Sequence, residues 1–223
     1  KEGFETTYLP VDEDGFVTSE QVKAAIRPDT ILVSIMYANN EIGTIEPISE
    51  IGAVIAEIRK ERKAAGNLTP IYFHTDACQA AGALEMDVQK LGADFFAFSG
   101  HKMLGPTGIG VLYGRYELLE RMPPMITGGH MIHDVYLDRS TFRAPPLRFE
   151  AGTPHIAGTI GLGAAVTYLS GLGMDRVREH EKMLLDFGIK KLSAISSVRI
   201  LGTRDIEKRS GALSFVVEGM HPH

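Results

Sequence analysis

The sequence predicts an α/β fold built on a mostly parallel or mixed sheet, and three observations carry that prediction. Short apolar runs at residues 31–36, 71–74, 95–98 and 109–113 have the length and composition of strands buried on both faces. Helical patterns separate the first three of them, as in repeated βα units. Polar or glycine-rich residues follow each run, at the carboxyl ends of strands where open α/β sheets bind their ligands.

The elements follow in order. A short helix is expected over residues 17–26, with Thr18 as cap and Gln21 three residues later completing a capping-box pattern, and Pro28 ends it. Asn39, Asn40 and Gly43 break the strand that follows. Over residues 48–65 Ile48, Ile51, Ile55 and Ile58 recur every three or four residues, with Glu57, Arg59, Lys60, Glu61 and Arg62 on the remaining faces, which is the pattern of an amphipathic surface helix. A strand after Pro70, a brief helix over 88–91, and the strands at 95–98 and 109–113 come next. Residues 122–146 read as a long irregular excursion suited to lining a site, with five prolines if Pro154 is counted. A helical stretch at 158–192, interrupted at Gly171-Leu172-Gly173, leads to strands at 198–201 and 212–217. The division expected is a large domain over 1–165 and the start of a smaller one over 166–223.

Composition narrows the function. With 223 residues, 44% of them hydrophobic, the chain can bury one core and begin another. The 23 basic and 28 acidic residues are spread along it and leave a net charge of −5, so no basic field is present to hold nucleic acid. The apolar runs fall far short of the ~20 residues of a membrane helix. The single cysteine, Cys78, forms no internal disulfide, and with no basic, apolar leader in view the expected location is cytoplasmic. A start at Lys1 without Met and a stop just after a strand-like run make both ends read as cut, so a fragment is expected.

The chemistry concentrates after the second and third strands. His74, Asp76 and Cys78 alternate along a strand end and could share one face. Zinc would accept that ligand set, but no recognised spacing or fourth ligand accompanies it. Lys102 follows Ser99-Gly100-His101 and precedes Gly105-Pro106-Thr107-Gly108-Ile109-Gly110, where the backbone can approach a ligand closely. A lysine there can form a Schiff base with a carbonyl cofactor if burial or a neighbouring cation lowers its pKa. A phosphate-binding P-loop is excluded, because its lysine follows the last glycine rather than preceding the glycines. Asp76 and Lys102 together meet the two needs of pyridoxal phosphate, a carboxylate for the ring nitrogen and a lysine for the aldehyde.

Asn39-Asn40-Glu41-Ile42-Gly43, His74-Thr75-Asp76-Ala77-Cys78-Gln79, Ser99-Gly100-His101-Lys102 and Arg148-Phe149-Glu150-Ala151-Gly152-Thr153-Pro154 resemble the motifs of the cysteine desulfurases and the related selenocysteine lyases. The resemblance runs along the whole chain, and its subgroup stays open between the sulfur-mobilisation and iron–sulfur-cluster branches. It implies a fold-type-I, aspartate-aminotransferase-like large domain within the class-V aminotransferase group, and the start of a small α+β domain. It also implies pyridoxal 5'-phosphate as cofactor. Lys102 becomes the lysine bonded to the cofactor and Asp76 the partner of its ring nitrogen. Asn40 and Gln79 become hydrogen-bond partners of its phenolic oxygen, and Ser99 and His101 hold its phosphate. Thr153 reaches the cofactor of a neighbouring subunit, which implies a homodimer.

The activity implied is removal of sulfur from L-cysteine, or selenium from L-selenocysteine, leaving alanine and a persulfide or selenide for a sulfur-acceptor protein or iron–sulfur cluster assembly. The family's persulfide-forming cysteine, its substrate-carboxylate arginine and its N-terminal phosphate-binding segment have no counterpart here. Another class-V enzyme, or a non-catalytic fragment keeping part of the cofactor site, therefore stays open.

Each residue also has an ordinary reading. Asp76 could cap the next helix, Lys102 could be a plain loop lysine, and Asn39 and Asn40 could simply form a turn. His101 could be a satisfied core histidine, and His74 is expected to be packed rather than reactive. Cys78 is expected to be a small buried hydrophobe, His130 and His133 to be loop residues, and Arg148 with Glu150 to form a structural ion pair.

Overall fold

The computed structural model describes residues 3–221. Ser19–Ala25 forms helix α1 with the expected capping box: the Thr18 hydroxyl accepts the Gln21 N–H at 3.2 Å and the Gln21 side chain accepts the Thr18 N–H at 2.8 Å. Then come Leu32–Met36 (β1), Ile48–Ala64 (α2), Tyr72–Asp76 (β2), Val88–Leu91 (α3), Phe95–Ser99 (β3), Gly110–Gly114 (β4) and Tyr116–Leu119 (α4). Ile132–Val135 (β5) pairs with Ser140–Phe142 (β6), and Val198–Ile200 (β7) with Phe215–Val217 (β8), both antiparallel. Between these hairpins lie Ile156–Leu172 (α5) and Met174–Ser193 (α6).

The main sheet has the order β1-β2-β3-β4. The first two pairings are parallel, and β4 returns antiparallel to β3 because the ten residues between them are too few for a crossover. Met36 pairs with Asp76 and Asp76 with Ala97, so three parallel strands end side by side. Helices α1 and α2 cover one face of the sheet, where Ile51, Ile55 and Phe73 are fully buried. A smaller cluster of Ala81, Met103, Leu162 and Leu169 packs α5 beneath the turn that follows β3.

At the opposite, amino-terminal end of the strands Asp94 is buried, accepts the Phe73 N–H at 2.8 Å, and pairs with Arg59 and with Arg115, the latter at 3.0 Å. Its carboxylate thus ties β2 to α2 and to the end of β4.

The structure differs from expectation at three places here. The first is His133, expected in a loop, which lies on β5. Residues 122–146 are not irregular throughout, since they contain the β5–β6 hairpin; its three- and four-residue strands alternate with polar side chains and carry no apolar run. Arg148 makes no ion pair with Glu150. Its guanidinium donates instead to the carbonyls of Arg143 at 3.0 Å and Glu120 at 2.5 Å.

Helices α5 and α6 meet at Gly173 with a bend of 79°, and no single helix among the described residues is long and apolar enough to cross a membrane. The segment after β7 returns to the β1–α2 loop: Ser210 N–H donates to Gly43 O at 2.7 Å, Ile45 N–H to Lys208 O at 2.9 Å, and Ser214 Oγ to Glu41 O at 2.5 Å.

Candidate active site at the carboxyl ends of β1, β2 and β3

Except for Thr153, each sequence-predicted group stands at the end of β1, β2 or β3 or on the turn that follows it. After β1, Asn39 makes the turn: its side-chain oxygen accepts the N–H of Glu41 and of Ile42, each at 2.9 Å. That occupies Asn39 and leaves Asn40 exposed, with no side-chain hydrogen bond among the described residues.

After β2, the Cys78 N–H donates to Asp76 Oδ1 at 2.8 Å, so Asp76 does act as a local cap, on the turn rather than on a helix. Burial pushes the Asp76 carboxyl up, but the Cys78 thiol and N–H that donate to it, with the charges of His74 and Lys102, outweigh burial and hold it below its ordinary value. Asp76 is therefore ionised at neutral pH.

Cys78 is not a simple apolar filler. It is half-buried with Sγ 3.4 Å from Ser99 Oγ, and burial first, then the Asp76 carboxylate, push its thiol above its ordinary pKa. A raised thiol is a poor nucleophile, which agrees with reading it outside the sulfur-accepting role. Gln79, one residue on, is half-buried with a side chain that bonds to nothing among the described residues.

After β3, a 3-10 turn over Gly100–Met103 carries His101 and Lys102. Met103 anchors it in the cluster with Leu162, while Gly100 N–H donates to Ile109 O at 2.8 Å and Gly105 N–H to Gly100 O at 2.9 Å. Gly105 has to be glycine, since a Cβ there would lie 2.8 Å from Gly100 O. Gly82, with φ +86°, lets the turn after β2 come as close, because a Cβ would stand 2.9 Å from Met103 Cα. The first approach closes the Lys102 turn on itself, and the second brings the Asp76 turn against it.

Lys102 and His101 are both exposed and make no side-chain hydrogen bond among the described residues.

The structure links Asp76, Cys78 and Ser99 by hydrogen bonds, and the charge of Lys102 on the neighbouring turn acts on Asp76 and Cys78. It places Thr153 elsewhere on the surface, exposed just before α5 and bonded to none of them among the described residues. No three His, Cys, Asp or Glu side chains among the described residues group as a metal site, so His74, Asp76 and Cys78 do not form one.

One pair was missed. Ser34 on β1 sits opposite His74 on β2, and its Oγ lies 2.8 Å from His74 Nδ1. The sequence signal was Ser34 as the one polar side chain in the run 31–36, together with the two-residue spacing of His74 and Asp76.

The donor set fits pyridoxal phosphate. An ionised carboxylate suits a protonated ring nitrogen, an exposed amine suits an aldehyde, and the unpartnered side chains of Asn40, Gln79 and His101 are polar groups with bonds still to make.

Comparison with known proteins agrees. The class-V aminotransferase profile matches residues 1–223. A probable cysteine desulfurase of Halalkalibacterium halodurans is 44% identical over 221 residues, which cover 99% of this chain and 51% of that protein. A cysteine desulfurase of Haloferax volcanii is 39% identical over 223 residues, covering 100% of this chain and 50% of that one. Among solved structures, the apo cysteine desulfurase of Thermococcus onnurineus superposes with a TM-score of 0.82 at 37% identity, over 97% of this chain and 51% of that one. The chain spans about half the length of the relatives it matches. The mixed sheet with its helices is the large-domain fold of the fold-type-I, pyridoxal-phosphate-dependent enzymes. From sequence, sheet and site alike, the chain belongs to the class-V aminotransferase family.

Proposed function

We propose that this chain carries the cofactor-binding part of a cysteine desulfurase that takes sulfur from L-cysteine, leaves L-alanine, and passes the sulfur on as a persulfide. The observation that supports it most is the ionised Asp76 set beside the exposed Lys102, on a chain similar over its full length to cysteine desulfurases.

Pyridoxal phosphate, when bound, supplies an aldehyde that condenses with amines and a ring that withdraws electrons from the carbon bearing the amine. Lys102 would hold the aldehyde in the resting protein and would serve as the base that moves a proton at the substrate carbon. Asp76 would accept the ring N–H and keep that proton in place. Asn40 and Gln79 would hold the phenolic oxygen, and Ser99 and His101 the phosphate. In the net reaction the C–S bond of cysteine breaks, one sulfur atom joins a thiol as a persulfide, and the carbon that lost it gains a proton to give alanine. A separate sulfur-acceptor protein takes the persulfide sulfur, with iron–sulfur cluster assembly as its use.

Thr153 reaches the phosphate of a partner subunit in a homodimer. The uncharged helix α5 exposes Ile156, Ile160 and Tyr168, an apolar face that supports association. Residues 1–165 form the cofactor domain and 166–223 open the smaller one.

Incubated with pyridoxal phosphate, the full-length protein is expected to develop a visible absorbance band that Lys102→Ala lacks. Borohydride reduction should then fix the cofactor's mass on the peptide containing Lys102, and added L-cysteine should yield alanine. No band, or labelling of another lysine, overturns the reading. A keto-acid product in place of alanine moves it to another class-V reaction, and selective turnover of L-selenocysteine moves it to a lyase of that substrate.

A further inference from the structure

The polar pair on β1 and β2 joins His74, which opens the Asp76 motif without a role in it, to Ser34, which lies outside the motifs. Along β2, Phe73 and Thr75 point into the core and are fully buried, while Tyr72, His74 and Asp76 share the other face. Along β1 the same face carries Leu32, Ser34 and Met36, so Ser34 is the one polar side chain that β1 offers to His74. The register sets Ser34 directly opposite His74, and the 2.8 Å contact between Ser34 Oγ and His74 Nδ1 fixes the ring about χ2. One step along the same face, Met36 stands opposite Asp76. The imidazole therefore lies two residues before Asp76 on the same face, and its charge acts on that carboxylate from the strand side as the Cys78 N–H and the charge of Lys102 act from the loop side.

We propose that His74, held by Ser34, is a positioning residue for Asp76, fixing the carboxylate that faces the cofactor's ring nitrogen. It rests on the cofactor assignment made above. With Ser34 donating to Nδ1, or with the ring doubly protonated, the far nitrogen Nε2 carries a hydrogen, and the ring presents a positive edge to its surroundings. The attraction of His74 for Asp76 is among the causes that hold this carboxyl low, after burial, which acts against them, and the two bonds from Cys78. A carboxylate supported on both sides has less freedom to turn toward solvent, so the ring N–H meets it pre-oriented.

The test uses the full-length protein and titrates pyridoxal phosphate while recording the absorbance band and, separately, the melting temperature without cofactor. His74→Phe keeps an aromatic ring of similar size but neither nitrogen, and is expected to weaken cofactor binding by about tenfold and displace the band. His74→Gln, which places an amide near the position of Nε2, should recover part of both effects. Ser34→Ala should give a smaller change in the same direction, and the cofactor-free melting temperatures should match that of the parent. If the parent shows the Lys102-dependent band while His74→Phe binds cofactor with unchanged affinity and spectrum, the inference falls alone. It also falls if His74→Phe and His74→Gln lower affinity and cofactor-free melting temperature equally, since that is a packing effect. A parent without the band overturns the functional reading itself.

Discussion

Leu104 closes the turn that presents Lys102, and it does so at φ 65°, in the left-handed region, with its side chain 68% exposed. A leucine there suffers the clash of Cβ with its own backbone and recovers little of it through packing. The turn is kept by its neighbours: the Leu104 N–H donates to Gly100 O, Met103 is buried, and Gly105 approaches Gly100 O. Leu104→Gly is therefore expected to stabilise the protein by about 1 kcal/mol in urea unfolding, with the strain relieved outweighing the added chain entropy. Destabilisation by a similar amount would show that the leucine is packed in a way its exposure conceals. At this scale the sequence was legible for placement, since Asp76 ends β2 and Lys102 stands in the turn after β3, where the apolar runs stop. It was opaque for Cys78, because its neighbour Ser99 lies on another strand and only the sheet brings the two side chains to 3.4 Å.

Among the elements, β2 depends on a charge from outside the site. Asp94 is 3% exposed and serves the Phe73 N–H and two guanidinium groups together, so it joins β2, α2 and β4 at their far end from Lys102. Asp94→Ala should cost about 3 kcal/mol or more, because it leaves Arg59 and Arg115 without their carboxylate and a buried strand N–H without an acceptor. Chemical denaturation of the variant measures this, and a loss under 1 kcal/mol would mean that water replaces the carboxylate. The four strands of the main sheet and helix α2 were readable from apolar period, and the short helix α1 from its Thr18–Gln21 capping box. The β5–β6 hairpin was not, since Ile132-His133-Asp134-Val135 and Ser140-Thr141-Phe142 offer too few apolar positions to set a period. Nor was the Ser34–His74 pair, whose existence depends on a cross-strand register that no single run of residues records.

Over the whole molecule, the loop bearing Asn40 is where distant segments meet. Thr44 Oγ donates to Asp14 O at 2.5 Å, Glu46 accepts the Val17 N–H at 2.9 Å, and residues 208–214 bind the other side of the loop. Burial, with a contribution from Asp12, pushes the Glu46 carboxyl up to about 7, and only the Val17 N–H pulls it down. Because its folded value lies above the ordinary 4.5, the stability that Glu46 contributes is fully present below that pH and is lost as the pH rises through about 7. Glu46→Gln keeps the acceptor and cannot ionise, so its melting temperature relative to the parent should rise between pH 5 and pH 8. A difference constant across that range would mean that Glu46 titrates normally.

The Ser214–Glu41 bond joins residues 173 positions apart, and its order of appearance during synthesis is fixed by that distance. At ribosomal speeds of about 5–20 residues per second, the Asn40 loop leaves the ribosome roughly 9–35 s before the segment that clamps it exists. Strands β1 to β4, paired in the order they are made, can assemble in the meantime. Of these three turns, the one bearing Asn40 is therefore made before those of Asp76 and Lys102 and receives its distant clamp after them.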